Sequence, residues 1–271
     1  MSKAVQSQCN HSTLFTVFII NGNGIFQIYL KDMNNESVTM ISRNTSNVAG
    51  NAPSTNPDMS PDGKHIVFEP AATNFTSSNG LKHIYYVDTS VAHAVEQISL
   101  STTGAQASSP SNNPSISNDG SMIAFDTGAA LNNTLDKNGV LDVYLRDRTL
   151  SLTSLISANP NTSNSGNNIS EQAHISGNAD YVVFESVASD LVNNDTLGFR
   201  DIFVRDLSAL PAIIIDRVNV PTSGSEATAS SNQPAISTDG RYISFHSTVK
   251  FTNDDIDTIS DVFRAHNSTH P

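Results

Sequence analysis

The chain has 271 residues, a formal net charge of −12 and a pI near 4.8. That length suits one large domain with a single core, and the acidic balance excludes nucleic acid and an anionic membrane surface as partners, because both need a basic stripe. Only 15% of residues are charged, so Ser, Thr and Asn must supply the polar surface, a balance expected at the cell surface, outside the cell or in the periplasm.

From the N-terminus, residues 1–12 are polar, and Lys3 to Gln8 is expected to be a strand that closes the fold. Cys9 is the single cysteine, so no intrachain disulfide can form; it reads as a strand or tail residue, with an intermolecular bridge or a reactive thiol as the alternative. Leu14 to Ile20 (LFTVFII) is far too short to span a bilayer and is followed by Asn21-Gly22-Asn23-Gly24 rather than a small-residue cleavage site, which makes it a strand. Phe26 to Lys31 and Val38 to Ser42 follow as two more strands.

Residues 113–157 show the full unit. Pro114 to Ser117 alternates apolar and polar, Asn118-Asp119-Gly120 is a tight turn, and Met122 to Phe125 is a second strand. Asp142 to Arg146 is a third strand, and Asp147-Arg148-Thr149 turns the chain into a fourth, Leu152 to Ser157. Such a meander cannot bury both faces alone and needs neighbours like itself.

The chain contains them. Pro57-Asp58-Met59-Ser60, Pro114-Ser115-Ile116-Ser117 and Pro234-Ala235-Ile236-Ser237 are copies of one opening, with Ala173-His174-Ile175-Ser176 a degraded fourth. The aromatic ending the second strand recurs as Phe68, Phe125, Phe184 and Phe245, at a spacing of about 60 residues. The third strand recurs at Gln27, His83, Asp142, Asp201 and Asp261, and a turn acid follows at Asp32, Asp88, Asp147 and Asp206. A repeat of this length built from four strands implies radial repetition. The expected fold is all-β: a five-bladed β-propeller of four-stranded antiparallel blades near residues 13–42, 56–99, 113–157, 171–219 and 232–265, forming one domain. The last blade has no recognisable fourth strand, and Lys3 to Gln8 is expected to supply it. The Ser/Thr/Asn/Gly-rich stretches between blades read as surface connections rather than domain linkers.

The pattern P-x-x-S-x-D-G, an apolar strand ending in Phe, then D-[IV]-[YF]-[VL]-x-D, resembles the TolB-like propeller repeats of bacterial secreted and periplasmic proteins, from about Phe15 onward. The resemblance implies the fold. It leaves function open, since such repeats occur in scaffolds, in sugar-active proteins and as accessory domains of peptidases.

Two constellations are candidate sites. The loop between second and third strands holds Asp136, Asn138 and Asp142 in blade three, Asp195 and Asp201 in blade four, and Asp255, Asp257 and Asp261 in blade five. Oxygen donors at alternate positions around a turn suit a hard cation, which makes Ca²⁺ the candidate cofactor. The competing reading gives the first Asp to an Asx turn and the last to backbone amides of the adjacent blade. The second constellation is a polar ring at one mouth, Glu69, Asp126, Glu185 and His246, each following a blade aromatic. It suits ligand binding, and Glu69 and Glu185 are the pair a glycoside-active protein would draw on.

No nucleophile elbow occurs, and the eight histidines fall at different repeat positions. The expected function is therefore a non-catalytic, exported interaction or structural module with a protein or glycan partner. A carbohydrate-binding or carbohydrate-active propeller is the alternative, weakened by the absence of Trp and by 7% aromatic content. Self-association into a surface filament through the incomplete last blade and Cys9 is a third reading.

Overall fold

The computed structural model describes residues 15–22, 24–76, 78–91, 94–208, 212–252, 255, 257 and 259–270. The expected closing strand Lys3 to Gln8 and Cys9 lie outside the described residues. Five antiparallel meanders follow one another. Blade one contains β1 (Phe15–Gly22), β2 (Ile25–Asp32) and β3 (Val38–Met40). Blade two contains β4 (Ser54–Met59), β5 (His65–Pro70), β6 (Tyr85–Asp88) and β7 (Val95–Gln97). Blade three contains β8 (Ser111–Ile116), β9 (Met122–Thr127), β10 (Asp142–Asp147) and β11 (Leu152–Leu155). Blade four contains β12 (Ser170–Ile175), β13 (Tyr181–Ser186), β14 (Asp201–Asp206) and β15 (Ile214–Arg217). Blade five contains β16 (Ser231–Ile236), β17 (Tyr242–Ser247) and β18 (Asp261–His266). Five sheets of this kind make a five-bladed propeller. The four-stranded unit is complete in the three central blades, whereas among the described residues blade one lacks its inner strand and blade five its outer one.

The inner strands begin slightly earlier than the Pro-x-x-Ser motif suggests, and a bulge explains it. Register shifts between Thr55 and Asp58, Asn112 and Ser115, Glu171 and His174, and Asn232 and Ala235. The bulged residues Asn56, Asn113, Gln172 and Gln233 have φ of 45, 51, 55 and 52°. The bulge lets a proline sit inside a strand without breaking the ladder on either side.

Adjacent blades share a core. Val17 and Ile28 pack with Phe68 and Tyr85, and Val67 and Ile84 pack with Phe125 and Tyr144. Ala124 and Val143 pack with Phe184 and Phe203, and Val183 and Ile202 pack with Phe245. The four repeated phenylalanines thus occupy equivalent places, each opposite an aromatic of the third strand: Tyr85, Tyr144, Phe203 and Phe263. The outer edge of blade five contrasts with this, for Val262 is 80% exposed while its equivalents Ile84, Val143 and Ile202 are fully buried.

The Asp-Gly turns also contribute to blade stacking. A Cβ on Gly63 would lie 2.5 Å from the Phe15 ring of the preceding blade, on Gly120 2.4 Å from His65, and on Gly240 2.4 Å from Tyr181. These glycines also have φ of 70, 70 and 77°, so side chain and backbone are both excluded. Gly120→Ala is expected to cost about 2 kcal/mol in chemical denaturation; an unchanged midpoint would contradict the close stacking. Blade four uses Ala179 at φ 63° in this role, and Ala179→Gly is expected to gain roughly 0.5 kcal/mol in the same assay.

Candidate functional site

The polar ring is committed to holding the blades together. Glu69, Asp126 and Glu185 stand on β5, β9 and β13, all buried. Each accepts the backbone N–H of the bulged residue in the next blade: Asn113 to Glu69 Oε2 at 3.1 Å, Gln172 to Asp126 Oδ2 at 3.1 Å, and Gln233 to Glu185 Oε2 at 2.7 Å. A bulge turns an N–H away from its own ladder, and the carboxylate of the preceding blade satisfies it. The remaining carboxylate oxygens are also engaged. Glu69 accepts from Asn56 at 2.7 Å and pairs with Lys82 at 3.3 Å. Asp126 accepts from Asn113 at 2.8 Å and Asn112 at 3.2 Å. Glu185 pairs with Arg200, which also reaches Glu171 at 2.9 Å.

Of the expected ligand-binding ring of Glu69, Asp126, Glu185 and His246, the three acids thus serve as ties between blades. His246, at the same place in blade five, has Nδ1 3.2 Å from Ser260 Oγ. Burial pushes the Asp126 carboxyl up to about 6, against the opposing pull of the Asn113 and Asn112 amides. Burial also raises Glu185, partly countered by the Gln233 N–H and Arg200.

Inside this ring lies a cavity of about 530 Å³. Inner strands of blades two to five line it, so it runs along the propeller axis, and its rim carries the amide side chains of Asn56, Asn113, Gln172 and Gln233. Asp58, Ser115 and His174 occupy one repeat position on its wall. Asp58 Oδ2 accepts the Ile116 N–H at 2.9 Å and Ser115 Oγ accepts the Ile175 N–H at 3.2 Å. His174 breaks the series, and its Nδ1 is buried with no hydrogen-bond partner among the described residues. Burial raises the Asp58 carboxyl, and the His174 charge opposes the rise. Neither Asp58 nor the amide rim was among the candidates read from the sequence. The signal was present, as an Asn or Gln immediately before each copy of the opening motif.

The loop acids have different fates in each blade. The last position of the loop bonds a small polar residue just past the outer strand of its own blade, not the adjacent blade's backbone. His83 Nδ1 lies 3.0 Å from Ser99 Oγ, Ser157 Oγ donates to Asp142 Oδ1 at 2.6 Å, and Asn219 Nδ2 donates to Asp201 Oδ1 at 2.6 Å. The same Ser99, Ser157 and Asn219 oxygens accept the N–H of Ile84, Val143 and Ile202. Asp136 makes no Asx turn; its Oδ2 accepts the Tyr144 hydroxyl at 2.6 Å, while Asn138 makes the turn by accepting the Val140 N–H at 3.0 Å.

In blade four the chain supplies its own cation. Arg217 Nη1 lies 3.4 Å from Asp201, 3.7 Å from Asp195 and 3.2 Å from Glu226. A guanidinium at that place supplies the positive charge that Asp195 and Asp201 were expected to take from Ca²⁺. Burial still pushes Asp195 up to about 6, with the Asp201 charge adding to the rise. In blade five, oxygens of Asp255, Asp257 and Asp261 all lie within 4.8 Å of one another, and Asp257 and Asp261 are exposed. Asp32, Asp88, Asp147 and Asp206 cap their turns as expected, each accepting a local backbone N–H.

These geometries can be set beside known proteins. No family model and no curated protein sequence matches the chain. Solved structures do. TolB from Acinetobacter baumannii aligns over 94% of this chain and 52% of its own, at 16% identity and a TM-score of 0.54. A putative TolB from Agrobacterium tumefaciens aligns over 93% of this chain and 79% of its own, at 14% identity and a TM-score of 0.53. The chain has the fold of a TolB-like β-propeller. The propeller domain of the Trilobed protease from Pyrococcus furiosus, described as having an open velcro topology, aligns over 97% of this chain and 68% of its own at 12% identity, with a TM-score of 0.56. At these identities the likeness extends to fold alone, and this TolB-like propeller spans about half the length of the Acinetobacter protein. No helix among the described residues is long and apolar enough to cross a membrane.

Proposed function

We propose that this propeller is a non-catalytic interaction module of an exported protein, and that it receives a polypeptide partner at the axial mouth. The observation that carries this reading is the amide rim. Asn56, Asn113, Gln172 and Gln233 line one cavity of about 530 Å³; the Asn56 and Asn113 amide N–H groups are held by Glu69 and Asp126, while the Gln172 and Gln233 amides carry both donors and acceptors. Such groups match the alternating C=O and N–H of an extended peptide segment. The acids that a glycan reading would use are instead spent on backbone amides of the next blade, which disfavours sugar chemistry at the ring.

The test is photo-crosslinking from Asn113 and Gln233, each replaced by a photoreactive residue, in an extract of the native host. A discrete crosslinked polypeptide that disappears when Asn56 and Gln172 are changed to Ala supports the axial mouth. Capture that is indifferent to the rim, or turnover of glycoside or peptide substrates by the purified chain, would overturn the proposal.

A further inference from the structure

Blades three and four solve one electrostatic problem in two ways. Asp142 corresponds to Asp201 and Asp136 to Asp195, by strand register and loop position. In β14, Phe203 pairs with Arg217, whose guanidinium lies between the acids. In β10, Tyr144 pairs with Leu155 at the corresponding register, so the arginine is missing there. The one basic side chain in that loop, Lys137, turns away, its Nζ donating to the Asn133 carbonyl at 2.9 Å. Yet the acids of blade three are as deeply placed: Asp142 is 0% exposed and Asp136 6%.

Their hydrogen bonds do not compensate fully. Ser157 serves Asp142 Oδ1 and Tyr144 serves Asp136 Oδ2, but Asp142 Oδ2 is buried with no hydrogen-bond partner among the described residues. A buried carboxylate oxygen without a donor is costly unless a cation or a proton meets it. Asp190 adds negative charge nearby and is itself held by Asn159 and the Asn167 N–H.

We propose that Asp136 and Asp142 of blade three bind a hard divalent cation, Ca²⁺ in preference to Mg²⁺, at the position blade four fills with the Arg217 guanidinium. Two carboxylates, one from a loop and one from a strand, suit the irregular oxygen coordination Ca²⁺ accepts; Mg²⁺ demands a near-ideal octahedron. This proposal is independent of what the axial mouth binds.

The test transplants blade four's solution into blade three. The intact chain carrying Asp255→Asn and Asp257→Asn, to silence blade five, is compared with the same chain bearing Tyr144→Phe and Leu155→Arg as well. Thermal unfolding is followed in chelator, in CaCl₂ and in MgCl₂. Saturating Ca²⁺ is expected to raise the midpoint of the first protein by about 5 °C, Mg²⁺ to raise it less, and neither to move the second. Asp142→Asn, whose amide oxygen still accepts the Ser157 hydroxyl, provides a check should the transplant not fold; it should also be unresponsive. No rise in the first protein overturns the proposal. An equal rise in the transplant or in Asp142→Asn also overturns it, because the cation would then sit elsewhere.

Discussion

Asp126→Ala is expected to lower the stability of the propeller by about 3 kcal/mol at pH 7, read as a shift of the denaturant midpoint. The magnitude follows from what the side chain holds. Asp126 accepts three hydrogen bonds, from the Asn112 and Asn113 amides and from the Gln172 backbone N–H of the next blade. Asn113 borders the axial cavity and Asn112 is half-buried, so both amides can turn to water. The backbone N–H sits in a bulge and has no other acceptor in its own ladder, so its loss carries the full desolvation cost of an unpaired donor. Asp119, an exposed-loop acid whose bonds run to its own turn, is the control, and Asp119→Ala should cost less than about 1 kcal/mol. Equal effects at the two positions would mean that the tie between blades three and four contributes nothing special.

The same carboxylate sets the second expectation, a loss of stability on going from pH 5 to pH 8. An aspartate in the unfolded chain titrates near 3.8, and Asp126 in the fold titrates near 6 because burial disfavours its charge. The folded state therefore binds the proton more tightly. Its contribution is present below pH 3.8 and is lost as pH rises through about 6. The full shift corresponds to roughly 3 kcal/mol for this group alone, about half of it lost between pH 5 and pH 8. Glu185 and Asp58 are raised in the same direction, again by burial. Opposing them, the Ser90 hydroxyl holds Asp88 below its ordinary value, so acidification below about pH 4 removes stability in turn. Stability should thus peak on the mildly acidic side. Urea midpoints across this range decide it, and Asp126→Asn, which cannot ionise, should flatten the slope. A profile that rises from pH 5 to pH 8 would refute the assignment.

The architecture was legible because its signals are local and repeated. Phe68, Phe125, Phe184 and Phe245 mark one strand position in four copies, and a spacing near 60 residues admits only a sheet per repeat. The site was less legible for a physical reason. Recurrence of Glu69, Asp126 and Glu185 at one offset shows that a polar group is wanted there, but not whether it meets solvent or a neighbouring backbone. That depended on the bulges at Asn113, Gln172 and Gln233, which turn an N–H toward the preceding blade. Likewise the exchange of Tyr144 and Leu155 for Phe203 and Arg217 involves four residues distant in sequence, and its meaning appears only once the strands are registered against each other.

The ties made by Glu69, Asp126 and Glu185 all point one way, from the second strand of one sheet to the first of its successor. A blade so held recognises its predecessor's carboxylate and offers its own to whatever comes after, and none of these groups encodes ordinal position. Copying such a unit within the gene therefore carries its carboxylate tie with it. The number of blades is left to be settled by how tightly the circle can bend, and lineages can lengthen or shorten it without inventing a new contact.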